Sequence, residues 1–292
     1  MPSSKQNSNA ISRLNGPEGW IFKIIGYSLI LAATLLCLVP FILVLSGSFT
    51  KESAIFKYGF NLVPSEFSLD AYQMVFKNPT AILNAYLVTL FVTIIGTAVS
   101  LFLTAMTGYV LQKKELKSRH FLSLFFYFTT LFSGGLVPWY ILMQRYLGMS
   151  NNLLALILPL MFNVFYIIIM RSFLKSIPDA ISESAKIDGA GDFRTFISII
   201  LPLSKPALAT VGMFTALNYW NDWQNAMLFM QKDQLYPLQY FLMKLLNNIE
   251  FAKQAASRGA MIPVINMPAE SFKLAMTVVA CFPSSRNISS VA

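Results

Sequence analysis

The stretch Glu183–Pro202, ESAKIDGAGDFRTFISIILP, decides how this chain is read: five of its twenty residues are charged, two are glycine, and long apolar sequence lies on both sides. Pro178 suits the first turn of a helix and pushes Ile177 toward extended backbone. Ala180, Ile181, Ala185 and Ile187 then make a short apolar stripe, with Glu183, Lys186 and Asp188 on other faces. Gly189 and Gly191 mark a turn. A second helix from Asp192 presents Phe193, Phe196, Ile197 and Ile200 until Pro202 stops or kinks it. An ordinary amphipathic loop lying on a membrane explains the stripe. It does not explain the small residues Ser184, Ala185 and Gly189 around the single carboxylate of Glu183. Small side chains let another backbone approach closely, and a carboxylate among them can pair with an arginine across the contact. The segment reads as a docking element for a soluble partner.

The rest of the chain is built for lipid. It is 55% hydrophobic and 12% charged, where soluble domains carry about 25% charged residues. The net charge of +9 comes without a basic stripe interleaved with aromatics, which argues against a nucleic-acid partner. Its basic residues cluster in short connections between apolar runs instead. Cys37 and Cys281 both lie in apolar segments without metal-ligand spacing and read as small hydrophobes. The polar start, MPSSKQNSNAISRLNGPEG, precedes an apolar run with no small-residue cleavage site, so that run is read as a retained span. No long repeat or low-complexity linker divides the chain. The expected organisation is a cytoplasmic N-terminal segment (1–19), one transmembrane domain (20–283) and a short polar tail (284–292).

A spanning helix needs roughly 20 mostly apolar residues. Trp20–Ser48, Ala81–Leu111, His120–Met143, Leu153–Ser172 and Leu203–Met230 meet that requirement. A sixth segment, Ser271–Pro283, is too short for a straight span; it is thinned, extended into the polar SSRNISSVA, or truncated. The expected fold class is all-α, a polytopic membrane protein of about six transmembrane helices. Lys113, Lys114, Lys117 and Arg119, with Arg171, Lys175, Lys186, Arg194 and Lys205, place their two connections in the cytoplasm together with the N-terminus. Phe49–Thr80 and Gln231–Glu270 then lie outside. They also carry lysines, so the charge bias is modest. SLDAYQMVF reads as a short amphipathic helix capped at Ser68, and YPLQYFLMKLLNNIEFAKQAASRG has helical spacing up to a polar run ending at Gly259. Both suit either a membrane-surface helix or a face for an outer partner.

Glu183, Ser184 and Ala185, followed by Gly189, Ile199, Leu201 and Pro202, keep every spacing of the EAA motif, with Ser184 replacing an alanine. The chain thus resembles the permeases of ATP-binding-cassette importers. IDGAGDF before ILPLSKPALA, together with SGGLVPWYILMQRYLGMSNN and NYWNDW, resembles the carbohydrate (MalG-like) branch, particularly permeases for complex oligosaccharides and polysaccharides such as alginate. The resemblance covers about residues 20 to 280. It implies a type I ABC importer permease fold in a bacterial inner membrane and a heterodimer with a second, homologous permease. It also implies two ABC ATPase subunits binding Mg-ATP, an extracytoplasmic solute-binding protein and a saccharide substrate. The loop 173–202 would carry the coupling helix and 231–270 would probe the binding protein. The C-terminus departs from the pattern, having no glycine-rich tail.

No GxxxxGK[ST] occurs, so this chain has no phosphate cradle of its own. His120, beside Arg119 at a span's start, reads as an interfacial residue; no Ser-His-Asp set and no paired carboxylates suit catalysis. The chain is expected to be a transport subunit, not an enzyme, with no cofactor or metal. An ion-coupled secondary transporter of small polar solutes is the alternative. That class needs ionisable groups within the bilayer, and Asp222 is the sole candidate carboxylate in the spans. Its neighbours Asn218, Tyr219, Trp220, Asn221 and Trp223 read either as a sugar-facing set or as an aromatic belt at the outer interface.

Overall fold

The computed structural model describes residues 17–75, 79–257 and 269–288. The expectations for 1–16, for the run ending at Gly259 and for 289–292 lie outside them, as does the side chain of Cys281. The described residues are helical, with one isolated antiparallel bridge between Thr50 and Phe67. The chain divides into two compact units, Met1–Lys77 with Ile249–Ala292, and Asn78–Asn248.

In the first unit, helix α1 (Pro17–Ser48) is long and apolar enough to cross a membrane. Helices α2 (Glu52–Tyr58) and α3 (Asp70–Val75) follow it. Ser68 Oγ accepts the Asp70 amide, so the cap expected there forms. The sixth segment becomes a 20-residue helix, Ala269–Ile288, which runs past Pro283 into polar sequence. Its N-terminus is capped from a distance: the Glu52 carboxylate accepts the amides of Glu270 and Ser271 and the Ser271 hydroxyl, at 3.0 to 3.1 Å. A carboxylate there satisfies orphan amides and opposes the helix dipole.

In the second unit the 34-residue helix α4 (Pro79–Gln112) is the other uninterrupted candidate span among the described residues. Two expected spans, the third and the fourth, are bent pairs; a further bent pair joins Asp192–Leu203 to Lys205–Trp220, and the candidate spans among the described residues number at most five. The third is α5 (Arg119–Leu131) with α6 (Leu136–Ile141), continued by a π-turn to Tyr146. These are bent by 110° at Phe132–Gly135, where Gly135 takes φ +86°. The fourth is α7 (Leu154–Met161) with α8 (Val164–Leu174), bent by 50° where Asn163 Oδ1 caps the Phe165 and Tyr166 amides. The fifth ends early. Its helix runs from Lys205 to Trp220 (α12), and Gln224–Phe229 forms a separate short helix, α13. Asp222, whose carboxylate accepts the Asn225 amide and side chain, holds the break. The other segment expected to lie outside forms α14 (Leu238–Ser257).

Helices α4, α7, α8 and α12 pack as one body because small residues let them close up. A Cβ built on Gly96 would sit 2.6 Å from the Tyr219 ring, whose hydroxyl donates to the Ile157 carbonyl at 2.8 Å. Close backbone approach of this kind replaces the hydrophobic effect as the source of helix association in lipid. Gly96→Val should therefore lower the chain's thermal stability in detergent, by about 1–3 kcal/mol for overpacking. Gly26→Val, where nothing lies within 4 Å, should leave it unchanged; equal melting of both variants would contradict this packing.

Candidate functional site

The docking segment folds as helix–turn–helix: α9 (Asp179–Ile187), then α10 (Asp192–Thr195) and a π-turn over Phe196–Ile200 that leads into α11 (Leu201–Leu203). Helix α9 ends in a Schellman arrangement. The Ala190 amide donates to the Ala185 carbonyl at 2.9 Å and the Gly189 amide to Lys186 at 3.0 Å, with Gly189 at φ +79°. Pro202 was expected to stop or kink the second helix, and the bend comes two residues after it. The chain stays helical to Leu203, and an 81° bend into α12 falls at Ser204. Ser204 is buried, and both its amide and its hydroxyl donate back to the Ile200 carbonyl.

The two faces of this element differ sharply. Ala185, Phe196 and Ile200 are buried, and Phe196 stacks on Tyr109 of α4 with centroids 5.4 Å apart. Ala185 was read as part of the docking knob, but its smallness lets α9 lie against its own chain. Glu183, Ser184, Gly189 and Pro202 are exposed, while Ile199 and Leu201 are half-buried. Ile187 was assigned to the same stripe as Ala185, yet it is 86% exposed, and Phe193 is 65% exposed. Two large apolar side chains standing out of a polar loop mark a contact surface. Their place on either side of the Gly189–Gly191 turn was the available signal.

Three ion pairs tie this element to the end of α4. Lys113 pairs with Asp192, Lys114 with Asp179 at 2.7 Å, and Lys186 with Glu115 at 2.6 Å. Sequence reading gave Lys113 and Lys114 only an orienting role. The Asp179 hydrogen bond holds the Lys114 ammonium above the usual lysine range, and the Glu115 bond does the same for Lys186. Raised lysine pKa values mean that these two ammonium groups stay charged at neutral pH and lose their protons only above the usual lysine range, so the lysine side of each pair fails only in strong alkali. Helix α4 is long enough to deliver them: 34 residues measure about 51 Å, against ~30 Å of hydrocarbon. A cavity of about 120 Å³ remains behind Glu183, between α9 and this connection.

The second candidate set does not converge. Tyr219 and Trp220 are 2% and 8% exposed, with Tyr219 bonded to Ile157 and Trp220 against Tyr86 at 6.4 Å. Side chains so enclosed present no surface to a solute. Asn218 is exposed and donates to the Tyr166 hydroxyl at 2.9 Å; Asn221 accepts from Gln239 at 3.2 Å; Trp223 is exposed. No group of His, Cys, Asp and Glu among the described residues could hold a metal ion.

The described chain thus combines interrupted candidate spans with an exposed helix–turn–helix that ion pairs hold against the end of α4. Residues 85–232 match the family described as the binding-protein-dependent transport system inner membrane component, and the chain belongs to it. The matched region contains both the docking element and the Asn218 region. The chain is 38% identical to the polygalacturonan/rhamnogalacturonan transport system permease protein YtcP of Bacillus subtilis (strain 168), over 90% of this chain and 91% of that one. It is 35% identical to protein LplC of the same organism, over 92% and 90%. Among solved structures it is similar to a chain in the crystal structure of a bacterial ABC transporter involved in the import of the acidic polysaccharide alginate. There the TM-score is 0.79 at 27% identity, covering 94% of this chain and 97% of that one.

Proposed function

We propose that this chain is one permease half of an ATP-driven, binding-protein-dependent importer of oligo- or polysaccharides rich in uronic acid. The observation that carries the reading is the docking element. Glu183, Ile187 and Phe193 stand clear of the chain on a loop that ion pairs fix to α4 and a buried Ser204 joins to α12. Such a loop turns a push on its outer face into movement of two spans. The cargo class rests on relatives whose names specify polygalacturonan, rhamnogalacturonan and alginate, all acidic polymers.

The machine consists of this chain, a second homologous permease, two ABC ATPases seated on the docking loops and an extracytoplasmic solute-binding protein. ATP hydrolysis belongs to the ATPases, since this sequence has no phosphate-binding loop. The N-terminus and the docking loop face the cytoplasm, as the basic connections favour. Ion coupling has little support. Helices α4, α5, α7, α8 and α12 contain no Asp or Glu, and Asp222 is committed to Asn225.

The test is ATP hydrolysis by the reconstituted complex with its binding protein and trigalacturonate, an alginate trisaccharide or maltotriose. Stimulation should be greatest with a uronate trisaccharide. Greatest stimulation by maltotriose would overturn the cargo class, and hydrolysis indifferent to the binding protein would overturn the importer.

A further inference from the structure

The charges around the docking loop are not evenly matched. Lys113, Lys114 and Lys186 each hold a carboxylate. Arg119, Arg171 and Lys175 have no carboxylate partner among the described residues, and they fall at one place. Arg119 opens α5, while Arg171 lies in the last turn of α8 and Lys175 is its C-cap. A bond from Arg171 Nη1 to Ser123 Oγ at 3.0 Å joins these two helix ends. Arg119 and Ser123 share a face of α5 at four-residue spacing, as do Arg171 and Lys175 at the end of α8.

The Arg171 guanidinium is half-buried and bonded to one neutral hydroxyl, and its Nε is buried without an acceptor. A cation drawn partly out of water without a counter-ion is costly. Arg119 is also half-buried, and its Nε donates to the neighbouring His120 ring at 3.4 Å. Helix α5 brings its positive end to the same place, with no side-chain cap from Ser118. Two guanidinium groups, an ammonium and a helix terminus gathered without a carboxylate call for an anion from outside the chain. Guanidinium forks match the oxygens of a phosphate. What lies one turn deeper in the membrane sets the source of that phosphate. Tyr127, on the Ser123 face of α5, and Ile168, on the Arg171 face of α8, are both exposed. A basic rim over an exposed apolar wall, between two helices, suits a phosphate that carries acyl chains.

We propose that Arg119, Arg171 and Lys175, with the first turn of α5, bind the phosphate of an anionic phospholipid at the cytoplasmic end of these helices. Lys175 lies three residues before Pro178, where α9 is entered, so the bound headgroup steadies the base of the docking loop. The site rests on that loop facing the cytoplasm and is independent of which saccharide is carried.

The test is the melting temperature of the purified complete complex in detergent as phosphatidylglycerol, phosphatidylcholine or inorganic phosphate is added. Phosphatidylglycerol should raise it in the wild type, and the other two should not. Arg171→Gln should increase about fivefold the phosphatidylglycerol concentration that gives half the rise, the weight of one basic residue at an anionic surface. Lys175→Gln, at an exposed position, should do the same and keeps the test decisive where Arg171→Gln fails to fold. Lys232→Gln, which removes an exposed cation outside this cluster, should change nothing. No rise in the wild type, an unshifted concentration in the folded variants, or an equal shift from Lys232→Gln overturns the site. An equal rise with inorganic phosphate makes it a free-anion site and overturns the lipid. Loss of the second permease or the ATPase from Arg171→Gln makes the cluster a subunit contact and overturns it as well.

Discussion

Gly189→Pro abolishes stimulation of ATP hydrolysis by the loaded binding protein, although the chain still reaches the membrane. At φ +79° the residue lies where proline, locked near −65°, cannot follow. Proline also removes the amide that donates to Lys186 at 3.0 Å, and the adjoining bond from Ala190 to Ala185 goes with it. Helix α9 then loses its termination, and Ile187 and Phe193 no longer hold their positions on either side of the turn. Nothing lies within 4 Å of where a Cβ would stand on Gly189, so the effect is one of backbone alone. Gly189→Ala should accordingly be milder, costing about 1–2 kcal/mol for a left-handed conformation and leaving reduced but measurable stimulation. Wild-type stimulation in the proline variant would show that the turn's geometry has no part in coupling.

Glu183→Arg should strip the ATPase from the purified complex, lowering its recovery with the permease at least about tenfold, since like charges across a contact cost several kcal/mol. Glu183 is exposed one turn before Ile187 and makes no hydrogen bond or ion pair among the described residues. Reversing it therefore leaves the fold intact. Ile187→Asp acts in the same direction by charging the most exposed apolar side chain of the loop. Recovery of ATPase at wild-type levels from both variants would move the docking surface elsewhere.

The docking loop was legible because its punctuation is local. Pro178 opens α9, Gly189 supplies the left-handed turn and the chain reverses where those residues require it. Which face of α9 turns inward was not legible. A hydrophobic stripe drawn through Ala185 and Ile187 assumes a single apolar surface, but Ala185 packs within the chain and Ile187 stands out for something else. The spans were legible from apolar length, their bends were not. The breaks at Phe132–Gly135 and Asn163 sit inside sequence that hydropathy reads as continuous, and each depends on a cap or a glycine, while the bend at Ser204 falls at the very start of the expected fifth span. Reading Lys113 and Lys114 as orienting charges hid their pairing with Asp192 and Asp179, residues far along the chain. The run Asn218–Trp223 suggested one surface because its residues are neighbours in sequence. On a helix each successive residue turns by about 100°, so Tyr219 enters the core while Asn218 remains outside.

The central claim is that ATP binding and hydrolysis by a partner drive movement through this chain. Proteoliposomes holding the complete complex, with binding protein and trigalacturonate on one side, separate that from ion coupling directly. Uptake that requires ATP on the ATPase side and persists after every ion gradient is collapsed is the predicted result. Uptake driven by a proton or sodium gradient without ATP would contradict it.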